Sequence, residues 1–295
     1  MFLRLLLLVM ASTLARGVRV VQFSRHVARH AAIVKMRERP SAPASLNNAV
    51  SGLKIEEPSE ADMRVIQERQ LGHPTTNICG VGQRCKHGHP QAFAFDPIGR
   101  EAWHPPGQEG GSGKRKSRLE SGMFRLSCPL LVKAVDEWEG EGAVKEINAQ
   151  VLASAQGQHE EPSQQQEPQQ LPARERLRRA KVYVGPNLAS MLEEAHGGHA
   201  AARHELLGER LDGLLEEAEA DGEEAMQTVK HVLESGIAGQ TRTKTDIKCV
   251  HAQLADGLCR DNTNGVANEL LKRLEEKGTP VRGDESCAAQ CNLHL

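Results

Sequence analysis

Aromatic side chains are scarce: five Phe, two Trp and one Tyr, or 3% of 295 residues. A core built on stacked rings is thereby excluded, and the interior has to be assembled from Leu, Val, Ala and Met. Net charge is low as well, at -2 with His neutral, so the chain exerts no long-range pull on nucleic acid or anionic lipid. No compact C-x₂-C pair, phosphate-binding loop, nucleophile elbow, dinucleotide fingerprint or internal repeat is present. The seven cysteines are an odd number spread over a long chain. Small secreted domains carry dense, even frameworks instead, so most of these cysteines read as reduced thiols in a reducing compartment.

What is there begins with a leader. Met1 to Ala15 carries one early Arg, an apolar run and then small residues Thr13 and Ala15, the pattern of a signal peptide too short to span a bilayer. The first 37 residues hold six Arg and one Lys, and no acid precedes Glu38. A signal followed by a basic, transit-like segment leads us to expect a cleaved leader over 1–39. Delivery would be to an organelle, a plastid in preference to a mitochondrion, with the secretory pathway as the alternative.

A flexible spacer is expected over 40–59. An N-terminal α/β part follows over 60–155, broken by a Gly-rich basic insertion at 104–122 that cannot bury apolar surface. Residues 156–172, rich in Gln and Glu, read as a disordered linker. Residues 173–280 form a helical part that completes the same domain, and 281–295 form a Cys-containing tail expected to be disordered.

Within the first part, Glu60 to Leu71 has the spacing of one short helix. Asn77 to Pro97 reads as a β-hairpin whose loop carries Arg84 to Pro90, with a further short strand at Met123 to Leu126. Ser127-Cys128-Pro129 opens a helix with Leu131, Val135 and Trp138 on its buried stripe. Residues 181–184 could add a strand remnant. Further helices are expected from Asn187, at Leu211 to Ala218, at Ala225 to Leu233, after Asp246, and along Val266, Leu270 and Leu274. The fold class implied is α+β: a helix-dominated domain with a small antiparallel β element.

The stretch Asp246 to Leu258 concentrates the chemistry. Ile247, Val250, Leu254 and Leu258 mark one helical face, and Asp246 is a good N-cap residue. Cys249 would then lie in the first turn, where free amides favour a thiolate. Cys128 lies at another helix start and Cys85 in a Gly/Pro loop, and we expect the three thiols to meet. Cys128, Cys249 and His251 are the catalytic candidates. Arg84, Lys248 and Asn262 are the candidates for binding a ligand, Arg84 and Lys248 for its anionic groups.

Cys85, Cys128, Cys249 and His251 could instead hold zinc or an iron–sulfur cluster. Residues two apart in a regular helix point about 200° away from each other, so Cys249 and His251 share a metal only if that turn is distorted. His196, His199 and His204 lack acids at ligand spacing and read as solvent-exposed. Cys287 and Cys291 fall on one helical face, as a redox pair or half a metal site would.

Four short pieces resemble a known family in order and spacing. Arg84-Cys85-Lys86-His87-Gly88-His89-Pro90, Ser127-Cys128-Pro129-Leu130-Leu131, Lys248-Cys249-Val250-His251-Ala252 and the turn at Asn262 to Gly265 are similar to motifs of the domain-of-unknown-function 501 family. Lys86 and Thr263 stand where that pattern has proline, and Met123 to Leu126 replaces its aromatic stretch. The resemblance implies a mostly bacterial type of domain and marks the cysteines and His251, but it implies no reaction. Two functions follow from the residues. One is a thiol- or metal-centred site for a small ligand; the other is a structural or partner-binding module whose cysteines pack. No nucleic-acid contact and no membrane span in the mature protein are expected.

Overall fold

A computed structural model describes residues 49–98, 119–156, 187–240 and 245–292, all within one unit, Asn48–Leu295. The expected leader, most of the insertion, nearly all of the linker and the strand remnant at 181–184 lie outside the described residues.

The architecture is helix-dominated α+β. α1 (Glu60–Arg64) opens with a capping box between Ser59 and Asp62 and continues as a π-helix over Val65–Leu71. Strands β1 (Ile78–Val81), β2 (Ala92–Phe95) and β3 (Phe124–Leu126) form an antiparallel sheet in the order β1-β2-β3. Helices α2 (Pro129–Gly140) and α3 (Ala143–Ala155) follow, then α4 (Leu188–Leu207), α5 (Arg210–Asp221) and α6 (Glu223–Leu233). The chain ends in α7 (Val250–Cys259), α8 (Gly265–Glu276) and α9 (Glu285–Cys291). Among the described residues, no helix is long and apolar enough to cross a membrane.

The middle strand explains the layering. Side chains alternate across a sheet, so β2 is buried on both faces. Ala92 joins the main core with Leu131, Val135, Leu254 and Leu258, while Phe93 and Phe95 pack with Ile66 and Val81. Small alanine on the helix side lets α7 approach, and the paired phenylalanine rings, 4.8 Å apart, fill the other side. The carbonyl of Leu258 at the end of α7 accepts from Gln83 N–H at 2.7 Å, which ties the helix to the sheet layer. A third cluster, with Leu207, Leu214, Val229 and Leu233, lies under α5 and α6.

Three local expectations are corrected. The central helix starts at Val250 rather than just after Asp246. Ile247 cannot enter a helical turn because Asn148 of α3 engages both its N–H, at 2.7 Å, and its carbonyl, at 2.9 Å. The Asp246 carboxylate accepts from Gln240 Nε2.

His196 and His199 are buried, not solvent-exposed: His196 packs on Gly236 and its Nδ1 accepts from Ile237 N–H at 3.0 Å, while His199 faces Asp256 of α7. There Asp256 collects His199 Nδ1 at 2.7 Å, Arg260 Nη1 at 2.7 Å and Asn264 Nδ2 at 2.8 Å. Gly198 of α4 is needed here: a Cβ on it would collide with the Arg260 guanidinium.

The tail is ordered over α9. Asp284 caps that helix, and the Cys85 loop holds it through Lys86 N–H to Arg282 O, at 2.8 Å, and a 2.9 Å contact from His87 Nε2 to Asp284 O.

Candidate thiol site

α7 has no capping side chain of its own, yet its first amide is satisfied. Glu139, near the end of α2, reaches across so that its Oε1 accepts from Val250 N–H at 2.5 Å. This long-range cap leaves Cys249 as the N-cap residue with an extended backbone, φ -158° and ψ 131°. The angular objection to a Cys249–His251 pair is thereby removed, because Cys249 is outside the helix and its side chain follows a different direction.

Glu139, Cys249 and His251 converge. Their ligating atoms lie within 4.8 Å of one another. His251 Nδ1 is 3.5 Å from Glu139 Oε2, and Nε2 is 3.2 Å from Asp136 Oδ1. The Asp136 contact has the distance of an ion pair without the alignment of a hydrogen bond, so buried Nε2 has no hydrogen-bond partner among the described residues. The imidazole holds its proton above the ordinary histidine range. Its hydrogen bond with Cys249 is the main cause, and the Glu139 and Asp136 charges add to it, together outweighing burial.

A raised folded-state pKa stabilises the protein fully below the unfolded histidine value and is lost as pH rises through the folded one. Replacing His251 with Gln should therefore cost more stability at about pH 5.5 than at about pH 8.5. Urea unfolding at the two pH values checks this.

Cys249 and His251 border a cleft of about 360 Å³ whose other walls include Phe124, Arg125, Ser127 and Gln70. Arg125 projects from β3 as an exposed residue, and among the described residues it makes no hydrogen bond or ion pair. Ser127 Oγ and Gln70 Oε1 are buried without hydrogen-bond partners among the described residues. The cleft thus presents one free positive charge and two unsatisfied polar atoms beside a thiol and an imidazole, over an apolar floor that includes Leu126 and Val132.

The other expected site residues lie elsewhere. Cys85 and Cys128 are buried near Cys287 and Cys291, and Cys128 Sγ is 4.0 Å from Cys287 Sγ. Glu139, Cys249 and His251 are the only group of three or more ligating side chains that meets the 4.8 Å limit among the described residues, so Cys85, Cys128 and Cys249 do not form a three-sulfur metal centre there.

Arg84 is committed to Asp62, at 2.6 and 3.1 Å, and to Glu56 at 3.1 Å; against burial, hydrogen bonds from Arg84 and Ser59 hold the Asp62 carboxyl down to about 2. Lys248 Nζ lies 3.4 Å from Ala238 O. Asn262 has the left-handed φ of 56° that its turn requires, and its carbonyl accepts from Asn268 Nδ2. Glu139 and Arg125, which complete the site, carried no sequence signal: an acid on a helix and an Arg on a strand are ordinary surface residues until a fold places them.

The model of a family described as protein of unknown function (DUF501) matches residues 81–183 and 177–272. Arg125, Ser127, Glu139, Cys249 and His251 all lie inside those ranges, whereas Cys287 and Cys291 lie beyond them. No curated protein and no solved structure matches the chain.

Proposed function

The chain belongs to the DUF501 family of proteins of unknown function, and on that footing we propose that it is a thiol-dependent enzyme acting on a small anionic substrate. The carrying observation is the convergence of Cys249, His251 and Glu139 at the cleft that holds the unpaired Arg125. A nucleophile within reach of a base, and a third group orienting that base, is the general arrangement of covalent catalysis. In this reading His251 takes the Cys249 proton and Glu139 fixes the ring. The sulfur then bonds to an electrophilic carbon of the substrate, and the imidazolium returns the proton to the leaving group. The first-turn amides of His251 and Ala252 have no intrahelical acceptor and can face developing negative charge. Arg125 would hold the substrate's carboxylate or phosphate.

Two alkylating probes test this. Iodoacetate is anionic and iodoacetamide neutral, with the same reacting carbon. Cys249 should be the first thiol modified, should favour iodoacetate more than a free thiol does, and should lose that preference in Arg125→Ala. Equal sluggishness of all seven cysteines would support the packing module instead.

A second reading rests on the same three donors. The 3.5 Å between His251 Nδ1 and Glu139 Oε2 suits ligands on one zinc ion, which Cys249 would complete on the protein side. Stoichiometric zinc in purified protein, with protection of Cys249 from alkylation, would favour it. The basic, apolar composition of residues 1–39 supports delivery to an organelle, a plastid in preference to a mitochondrion, which a fluorescent fusion would locate.

A further inference from the structure

A second group of sulfurs has no part in the chemistry proposed for Cys249. Cys128, the N-cap of α2, and Cys287 of α9 face each other with Sγ atoms 4.0 Å apart, each 1% exposed. Cys291, one turn along α9, accepts from Gln70 Nε2 at 3.7 Å. Cys85 lies beside the preceding turn: a Cβ on Gly283 would sit 3.2 Å from Cys85 Cβ and 3.6 Å from Cys287 Sγ.

Spacing separates two possible uses of the group. A tetrahedral Cys₄ zinc needs every sulfur pair about 3.8 Å apart, given Zn–S bonds of about 2.3 Å. No three of these sulfurs, all among the described residues, lie within 4.8 Å of one another. Cys287 lies 4.0 Å from Cys128 and also hydrogen-bonds with Cys291, which is the arrangement of a dithiol with a third thiol beside it. We propose that Cys128 and Cys287 are an oxidisable pair that hydrogen peroxide closes to an intramolecular disulfide, fastening α9 to the start of α2.

The Cys128 sulfur attacks one peroxide oxygen, the O–O bond breaks, and the departing hydroxide takes the Cys128 thiol proton and leaves as water. Cys128 is then a sulfenic acid, oxidised by two electrons as the peroxide is reduced. The Cys287 sulfur attacks that sulfur, the S–O bond breaks, and the Cys287 proton leaves with the hydroxyl as a second water. Two thiols and one peroxide thus give one disulfide and two waters.

The assignment of roles follows from the surroundings. Against burial, the Cys128 thiol is held down to about 6: the hydrogen bond with Cys287 is the main cause, and the Leu131 and Leu130 amides and the Gln91 side chain also face that sulfur. The same hydrogen bond, with a second to Cys291, pushes Cys287 up, so Cys128 is the sulfur that attacks peroxide first. Ser127, next in the chain, borders the open cleft, so Cys128 lies one residue behind accessible space.

The experiment is peroxide treatment of the full chain, alkylation of remaining thiols and peptide mass mapping. In Cys249→Ser, which removes the reactive thiol of the cleft, two of the six remaining thiols should be lost, with Cys128 and Cys287 in one linked peptide. Cys249→Ser and Cys291→Ser should keep that link. Cys287→Ser and Cys287→Ala should lose it and leave Cys128 as a sulfenic acid that dimedone traps. A Cys287–Cys291 or Cys85–Cys128 link, an unoxidised pair, or stoichiometric zinc bound by these thiols would each overturn the proposal.

Discussion

Replacing Asp256 with alanine should lower the unfolding free energy by about 3–5 kcal/mol, the range for removing one partner of a buried ion pair. The carboxylate is fully enclosed and serves three donors at once: His199, Arg260 and Asn264. Arg260 in turn donates to the carbonyls of Ser51 and Ala195, so it bridges the N-terminal segment, α4 and α7. Without Asp256 a guanidinium would stay buried beside carbonyl dipoles alone, His199 Nδ1 would lose its partner, and Asn264 Nδ2 would keep only its bonds to Gln253. Burial pushes the Asp256 carboxyl up, but the His199 hydrogen bond, the Arg260 charge and Asn264 outweigh it and hold the carboxyl below the usual range. Chemical denaturation of the wild type and Asp256→Ala at neutral pH measures the loss. A change under about 0.5 kcal/mol, typical of surface positions, would show that the network is not holding these elements together.

The second large effect concerns rate. His251→Gln should slow iodoacetate modification of Cys249 by roughly 10²-fold near neutral pH, the lower end of what a positioned base contributes. Glutamine keeps hydrogen-bonding capacity and approximate size but can neither take the thiol proton nor carry a positive charge. Glu139→Gln separates two roles of one side chain. Its amide oxygen can still accept from Val250 N–H and so preserve the cap, whereas the negative charge facing His251 is gone. A modification rate reduced in Glu139→Gln, with stability close to wild type, would assign Glu139 to positioning and holding the imidazolium. Equal rates in all three proteins would mean that Cys249 reacts as an isolated thiol.

The helices whose apolar stripes are local could be read directly. Leu131, Val135 and Trp138 are buried as their spacing in α2 required, and the β2 alternation placed alanine and phenylalanine on opposite sides. The errors share a cause. Asp246 has the chemistry of a cap, but Asn148, 99 residues from Ile247, takes the backbone that would have formed the first turn. His199 looked like a surface histidine because its partner Asp256 is 57 residues away. α9 looked like a tail because its apolar content is small, and what orders it is contact with the Cys85 loop. In each case a distant hydrogen bond outweighed a local preference worth about 1 kcal/mol.

The sequence by itself determined the element types, the faces they bury and the nearness of Cys249 to His251. Hydrophobic periodicity and chain adjacency depend only on neighbours a few residues away. Tertiary structure decided which thiol joins which partners. Cys249 meets Glu139, while Cys128 meets Cys287 from 159 residues away. Such meetings depend on how helices cross and on one backbone angle at Cys249, and both are set by long-range packing and hydrogen bonds that have no local signature in the chain.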